Sequence, residues 1–304
     1  MGVVLSKHHG LGNDFLVLDL GPVSSPSSDD VWAAAARRWC DRRTGVGADG
    51  LLLLTTRTSG SVTTGSVTPG SVRIGMALHN ADGSRAEMSG NGIRCLVHAA
   101  HRSLGGVDGA RYVVSTDAGD RDVTVSSGSG TDTLELEVDM GAVLDLPVPQ
   151  GWELLECHPD RPVRHLSLGN PHSVVGVDDV DEVDLVRLGS LVPHVNLEIV
   201  APGPEPDAVT MRVHERGVGI TSACGTGACA AADAAVSWGL VPASAAEVLV
   251  HMPGGDARVR IDRATRRAIL IGPSTFVALV SVADDPVADN HVADDPLADD
   301  SVFE

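Results

Sequence analysis

Two short segments constrain this chain more than any other feature. Ser89-Gly-Asn-Gly-Ile93 and Cys224-Gly-Thr-Gly-Ala228 share the pattern X-Gly-polar-Gly-apolar and stand 135 residues apart. Each runs into an apolar stretch that predicts a helix, the first to about His101 and the second, rich in alanine, to about Trp238. Glycines at such a turn let a ligand approach the backbone. The start of a helix presents unpaired N–H groups that can hold an anion. Most of the remaining chain reads as short strands. Val3–Lys7, Phe15–Leu20, Leu51–Leu54, Arg73–His79, Tyr112–Thr116 and Val123–Ser126 surround the first turn, with a helix capped by Asp29 or Asp30 among them. Leu134–Met140, His165–Leu168, Ser173–Val177, Val195–Val200, Thr210–Val213, Val248–His251, Ala257–Ile261 and Ala268–Ile271 surround the second. The pattern is that of two β-rich halves, each with one glycine turn opening one helix. Two unrelated turns would look the same at this level, because glycine pairs are common.

The expected organisation is a first half over 1–127, a second over 128–280 and a tail over 281–304. The tail repeats Val-Ala-Asp-Asp-Pro and carries eight acidic residues with no Lys or Arg, so it is expected to be disordered. A run from Thr58 to Ser71 repeats Gly-Ser-Val and reads as an expanded surface loop.

Charge and composition exclude several function classes. The formal net charge is −19, and −11 without the tail. Phosphate contacts need clustered positive charge, so no nucleic-acid partner is expected. No apolar run reaches the roughly 18 residues of a membrane helix, and Met1 to Lys7 does not read as a signal peptide. A cytoplasmic protein without a membrane partner is the default. The five cysteines form no CxxC pair, which suggests free thiols, and the histidines show no metal-ligand spacing. The only lysine is Lys7. Pyridoxal phosphate is held through a lysine Schiff base, so an amino-acid enzyme of this sequence is expected to work without that cofactor.

Cys224 is the strongest candidate for chemistry. At a helix N-terminus a thiol is favoured as its thiolate, and the N–H groups of Gly225, Thr226 and Gly227 could hold a carboxylate. A buried structural cysteine is the alternative. Cys229, inside the alanine-rich stretch, reads as core.

The segments His9-Gly-Leu-Gly-Asn-Asp-Phe15, Gly45-Val-Gly-Ala-Asp49, Asn80-Ala-Asp-Gly-Ser84, Gly90-Asn-Gly-Ile-Arg-Cys95, Gly169-Asn-Pro-His172, and Glu215-Arg-Gly-Val-Gly219 followed by Ala223-Cys-Gly-Thr-Gly227 resemble diaminopimelate epimerase. They occur in that family's order and span residues 7 to about 280. The resemblance implies an α+β fold of two pseudo-symmetric domains, each a β-barrel-like mixed sheet around a central helix, with the active site between them. It implies a cofactor-independent isomerase that interconverts LL- and meso-2,6-diaminopimelate, for lysine and cell-wall precursor synthesis, and a homodimer. In such a reaction one thiolate removes the weakly acidic α-proton and a thiol on the opposite face returns one.

By the same resemblance Cys224 is one base. Asn13, Asn80, Asn170 and Asn196 contact substrate. Glu215 and Arg216 grip its distal end, and Glu215 helps to set the thiol. Gly90 with Asn91, and Gly225 with Thr226, hold its carboxylate, and His172 modulates the cysteines. The sequence departs from the family at three places. Ser89 stands where the second catalytic cysteine is expected, and a hydroxyl is far less acidic than a thiol. Cys95 cannot replace it, since six residues of helix turn through about 600° at roughly 3.6 residues per turn. Ile220 stands where the family usually has Glu, and Gly50 where some members carry Gln. Ser89 admits three readings: a deliberate Cys-to-Ser change, a natural enzyme using serine, or a one-base isomerase or dehydratase on another amino acid. A non-catalytic binding protein is the rival from a different class.

Overall fold

The computed structural model describes residues 2–22, 28–56 and 70–283; the Gly-Ser-Val run as far as residue 69 and the tail beyond 283 lie outside these. In the first half the strands are β1 (Val3–Gly10), β2 (Asn13–Asp19), β3 (Gly50–Thr56), β4 (Val72–Asn80), β5 (Arg85–Ala86), β6 (Arg111–Thr116), β7 (Gly119–Ser127) and β8 (Thr133–Ala142). Helices α1 (Asp29–Trp39) and α2 (Gly90–Leu104) lie between them. The second half holds β9 (Leu144–Asp145), β10 (Val163–Ser167), β11 (Pro171–Gly176), β12 (Asn196–Pro202), β13 (Ala208–Glu215), β14 (Gly219–Thr221), β15 (Val248–Met252), β16 (Gly255–Ile261) and β17 (Arg267–Val282), with α3 (Leu185–Leu191) and α4 (Gly225–Trp238).

The pairings close two rings. In the first, β1, β2, β3, β4, β6, β7, β8 and β17 pair in turn and β17 returns to β1. In the second, β17, β16, β15, β13, β12, β11 and β10 pair in turn, and β10 meets β9, the continuation of β8. Each ring has two parallel pairings at matching places, β2–β3 and β4–β6 in one, β11–β12 and β13–β15 in the other. Closure leaves these sheets no free edge. Each ring wraps one helix. The side chains of α2 from Gly90 to His98, and of α4 from Gly225 to Ala235, are buried on every face, as expected of a central helix rather than a surface one. Alanine fills α4, whereas α2 buries the larger Ile93, Arg94, Leu96 and His98 inside its ring.

Three expectations need correction. The cut at 127/128 does not divide the sheet: β8 pairs with β7 of the first ring and with β17, and β17 pairs with both β16 and β1. Two strands are therefore shared, because each ring needs them to close. The expected tail begins too early, since Ser281 and Val282 pair with Val4 and Val3. Helix α3, capped by the Asp184 side chain accepting from the Arg187 N–H, has no counterpart in the sequence reading; it is too short to show a periodicity.

Candidate active site

The two central helices meet head to head. A Cβ built on Gly90 would lie 3.1 Å from the Gly225 Cα, and one on Gly225 would lie 2.8 Å from Leu270 Cδ2 and 3.1 Å from the Gly90 Cα. A side chain at either position would crowd Leu270 and the facing glycine, so glycine at both turns lets the two helix starts approach this closely. Both helices are capped alike. The Ser89 hydroxyl accepts from the Gly92 N–H at 3.0 Å, and the Cys224 sulfur accepts from the Gly227 N–H at 3.4 Å, each from an extended residue. Two N-termini with their positive dipole ends thus face one small volume, flanked by a hydroxyl and a thiol.

Matching the rings strand for strand places the remaining candidates. The parallel pair of the first ring sets Phe15 opposite Gly50, and that of the second sets His172 opposite Asn196. Asn13 and Asn170 each stand two residues before those positions. Asn80 pairs with Gly50, and Glu215, next after the Leu197–His214 pair, occupies the same place against Asn196. The structure therefore brings Asn13, Asn80, Ser89, Gly90 and Asn91 together with Asn170, His172, Asn196, Glu215, Cys224, Gly225 and Thr226, as symmetry-related sets around the helix junction.

The two sets differ in chemistry. Behind Cys224, the His172 ring lies between Glu198 Oε1, 2.6 Å from Nδ1, and Asn170 Oδ1, 3.0 Å from Nε2. Asn170 Nδ2 donates to Thr226 Oγ1 at 3.3 Å, and that hydroxyl is 3.5 Å from the Cys224 sulfur. Glu215 accepts from the Thr221 hydroxyl at 2.5 Å and stands close enough to Cys224 for its charge to act on the thiol. Behind Ser89, the counterparts of His172, Glu198 and Glu215 are Phe15, Leu52 and Asn80, none of them ionisable. The cleft carries its acid–base groups on the cysteine side.

Burial, and then the charges of Glu215 and Glu198, push the Cys224 thiol well above its usual value; the bonds from Thr226 and Gly227 offset this only in part. Burial likewise pushes Glu215 and Glu198 upward. Cys224 is 6 % exposed, so burial works against the thiolate that the helix N-terminus favours.

Several expected binding residues are held by the protein itself. Asn91 donates to the Ala223 carbonyl at 3.1 Å and to Asn13 Oδ1 at 3.2 Å, which ties the halves together, and accepts from the buried Arg94 at 2.7 Å. Asn13 also donates to Asp49 at 2.7 Å. Asn196 accepts from the Arg216 N–H at 2.8 Å and donates to the Pro171 carbonyl at 3.2 Å. Asn80 is bonded to Ser84 Oγ at 3.0 Å. The Arg216 side chain stands exposed at the tip of the β13–β14 hairpin with no ion pair among the described residues, beside Ile220, which is 43 % exposed. Gly50 follows from packing, since a Cβ there would meet the His79 carbonyl at 2.8 Å. Among the described residues, no group of three or more His, Cys, Asp or Glu could hold a metal ion.

Sequence reasoning missed Glu198 and Arg94. Glu198 had a signal: it is the one charge inside the apolar run Val195–Val200, and a charge there needs a partner.

The family model for diaminopimelate epimerase matches residues 5–144 and 165–277. The chain belongs to the diaminopimelate epimerase family. Among curated relatives, diaminopimelate epimerase of Magnetococcus marinus is 36 % identical over 297 residues, covering 91 % of this chain and 96 % of that one. The enzyme of the same name from Bacteroides thetaiotaomicron is 31 % identical, covering 90 % and 96 %. Two solved structures share the fold at low identity. One is a predicted epimerase from Pseudomonas aeruginosa, with a TM-score of 0.68 at 13 % identity over 93 % of this chain and 100 % of that one. The other is a hydroxyproline epimerase from Agrobacterium vitis, with a TM-score of 0.62 at 16 % identity over 94 % of each. As a member of this family the chain is an isomerase of the epimerase type, built on the fold of two pseudo-symmetric halves that the resemblance implied.

Proposed function

We propose that this family member interconverts LL- and meso-2,6-diaminopimelate by moving the α-proton across the junction of α2 and α4, in the supply of lysine and cell-wall precursors. The observation that carries the reading is the head-to-head pair of helix N-termini flanked by Cys224 and Ser89, in a chain that matches diaminopimelate epimerases along most of its length. The substrate α-carboxylate sits between the N–H groups of Gly90, Asn91, Gly225 and Thr226. Fixed donors there stabilise the negative charge that builds as the α-proton leaves. Cys224 passes its thiol proton to Glu215, and the substrate ammonium adds the positive charge that favours the thiolate. The thiolate takes the α-proton. The Ser89 hydroxyl returns one to the opposite face and recovers its own from water. Arg216, free at the rim, pairs with the distal carboxylate.

No cofactor takes part in this reading. Lys7, the only lysine, is engaged with Asp14 at 2.9 Å and the Gly47 carbonyl at 2.6 Å, and all five cysteines are free thiols, which fits a reducing cytoplasm. A homodimer without nucleic-acid or membrane partners completes the reading; sedimentation tests the dimer.

A second reading is favoured by one observation: the Ser89 side has no ionisable neighbour at the matched positions. A one-base isomerase acting through Cys224 would have the same site. Proton NMR in D2O, with LL- and meso-diaminopimelate supplied separately, distinguishes the two. Exchange with inversion from both isomers supports the epimerase, and exchange without inversion supports the one-base enzyme. Exchange from neither rejects this substrate.

A further inference from the structure

Glu198 is fully buried in the middle of β12, and only one of its carboxyl oxygens has a partner; Oε2 has none. A buried carboxylate with an unsatisfied oxygen is costly, whereas a carboxylic acid donating through its other oxygen leaves only a neutral carbonyl oxygen bare, at lower cost. The ring it meets allows little choice. His172 is also fully buried, and both of its nitrogens face oxygens, Glu198 Oε1 and Asn170 Oδ1. Neutral imidazole has one N–H and cannot donate to both, whereas imidazolium could do so only as a buried ion pair that leaves the second carboxylate oxygen bare. Glu198 in its acid form removes the conflict: its O–H donates to Nδ1, and the ring's single hydrogen then sits on Nε2 and donates to Asn170.

From there each link fixes the next. Asn170 Oδ1 accepts from His172, which turns its Nδ2 toward Thr226, where it donates to Oγ1 at 3.3 Å. With its lone pair engaged, the Thr226 hydroxyl directs its own hydrogen at the Cys224 sulfur, 3.5 Å away. The Gly227 N–H reaches the same sulfur at 3.4 Å. Gly227 also passes close to the carboxyl: a Cβ there would lie 2.9 Å from Glu198 Oε1. The first ring has Leu52 and Phe15 at the matched positions, so Ser89 has no such chain behind it.

We propose that Glu198 is a positioning residue: it sets the direction of the hydrogen-bond chain Glu198–His172–Asn170–Thr226–Cys224, whose last hydroxyl donates to the sulfur and prepares it to carry negative charge. The inference rests on Cys224 being the reacting thiol, but not on the identity of the substrate. Burial pushes Glu198 upward, in line with its acid form. In its acid form Glu198 carries no charge and so withdraws the repulsion that its carboxylate would exert on the thiolate.

The test is alkylation of Cys224 by iodoacetamide, followed on its own peptide by mass spectrometry from about pH 6 to about pH 11, where the rate reports the thiolate. Glu198→Leu copies the residue of the first ring and removes the donor to His172; Thr226→Val removes the last link. Each is expected to raise the alkylation midpoint by about one pH unit, a tenfold loss of thiolate at a given pH. The double variant is expected to shift no further than either single one, because both cut one chain. Glu198→Gln, whose amide N–H can replace the acid O–H as donor to Nδ1, is expected to stay at the wild-type midpoint. An unchanged midpoint in Thr226→Val, a shift in Glu198→Gln as large as in Glu198→Leu, or additive shifts in the double variant would each overturn the proposal. The assay uses no diaminopimelate, so an error in the assigned substrate leaves its outcome intact.

Discussion

Acid should weaken this fold through two buried histidines far from the cleft chemistry. His8 of β1 and His98 of α2 are fully buried with ring centroids 4.7 Å apart, close to Phe276. Each has one hydroxyl partner: Ser6 is 3.1 Å from His8 Nε2, and Ser274 is 3.2 Å from His98 Nδ1. Burial first, then the charges of the other ring, Arg102 and His9, hold His8 down to about 3. Burial and Arg102 hold His98 down to about 4. In the unfolded chain both take up protons near pH 6.5, while in the folded chain both stay neutral well below that. The unfolded state therefore binds more protons, and stability falls as the pH drops through 6.5 toward the folded values. Between pH 7 and pH 5 each ring should cost about 2 kcal/mol, since one pH unit below the unfolded value is worth about 1.4 kcal/mol. Urea unfolding followed by tryptophan fluorescence at both pH values measures the loss. Carboxylates add a pH dependence of their own, so the decisive comparison is with His98→Leu. That variant should lose about 2 kcal/mol less than the wild type over the same interval. An equal loss in the two proteins would refute the reasoning.

Three further outcomes follow from the cleft. Gly225→Ala pushes a methyl into Leu270 and the Gly90 backbone; about 1–3 kcal/mol of stability should go, with loss of activity beyond that seen in equally destabilised core variants, read by thermal melts beside turnover. Arg216→Met should raise KM for diaminopimelate about tenfold, the worth of one exposed charge-assisted contact, with kcat little changed. Ser89→Cys puts a better proton donor opposite Cys224 and should speed inversion more than α-deuterium exchange, measured on the same NMR samples.

The sequence made the helix junction legible because its requirement is local. A glycine where an added Cβ would lie 3.1 Å from another Cα shows itself as a glycine in a turn, and Cys224 at a helix start is read from its neighbours. What the sequence hid depends on register between distant segments. That β8 and β17 serve both rings cannot be seen in either strand alone: β8 alternates buried and partly exposed residues as any sheet strand does, and the buried run 270–272 of β17 does not say which strands cover it. Glu198 was visible as a lone charge in an apolar strand, but its meeting with His172 needs the parallel pairing of β11 with β12. The thiol's environment was only half legible for the same reason: the helix N-terminus is written next to Cys224, while the burial and Glu215, which push its proton the other way, come from distant strands. Gly50, which looked like a lost substrate contact, is a site with no room for a side chain.

The central claim is that Cys224 at the junction of α2 and α4 removes the α-proton. Cys224→Ala, with a wild-type melting temperature, should be incubated with LL- and with meso-diaminopimelate in D2O and the α-position followed by NMR. The account predicts that exchange disappears from both isomers. Exchange persisting in this variant near the wild-type rate would contradict it, and would move the reacting base elsewhere in the cleft.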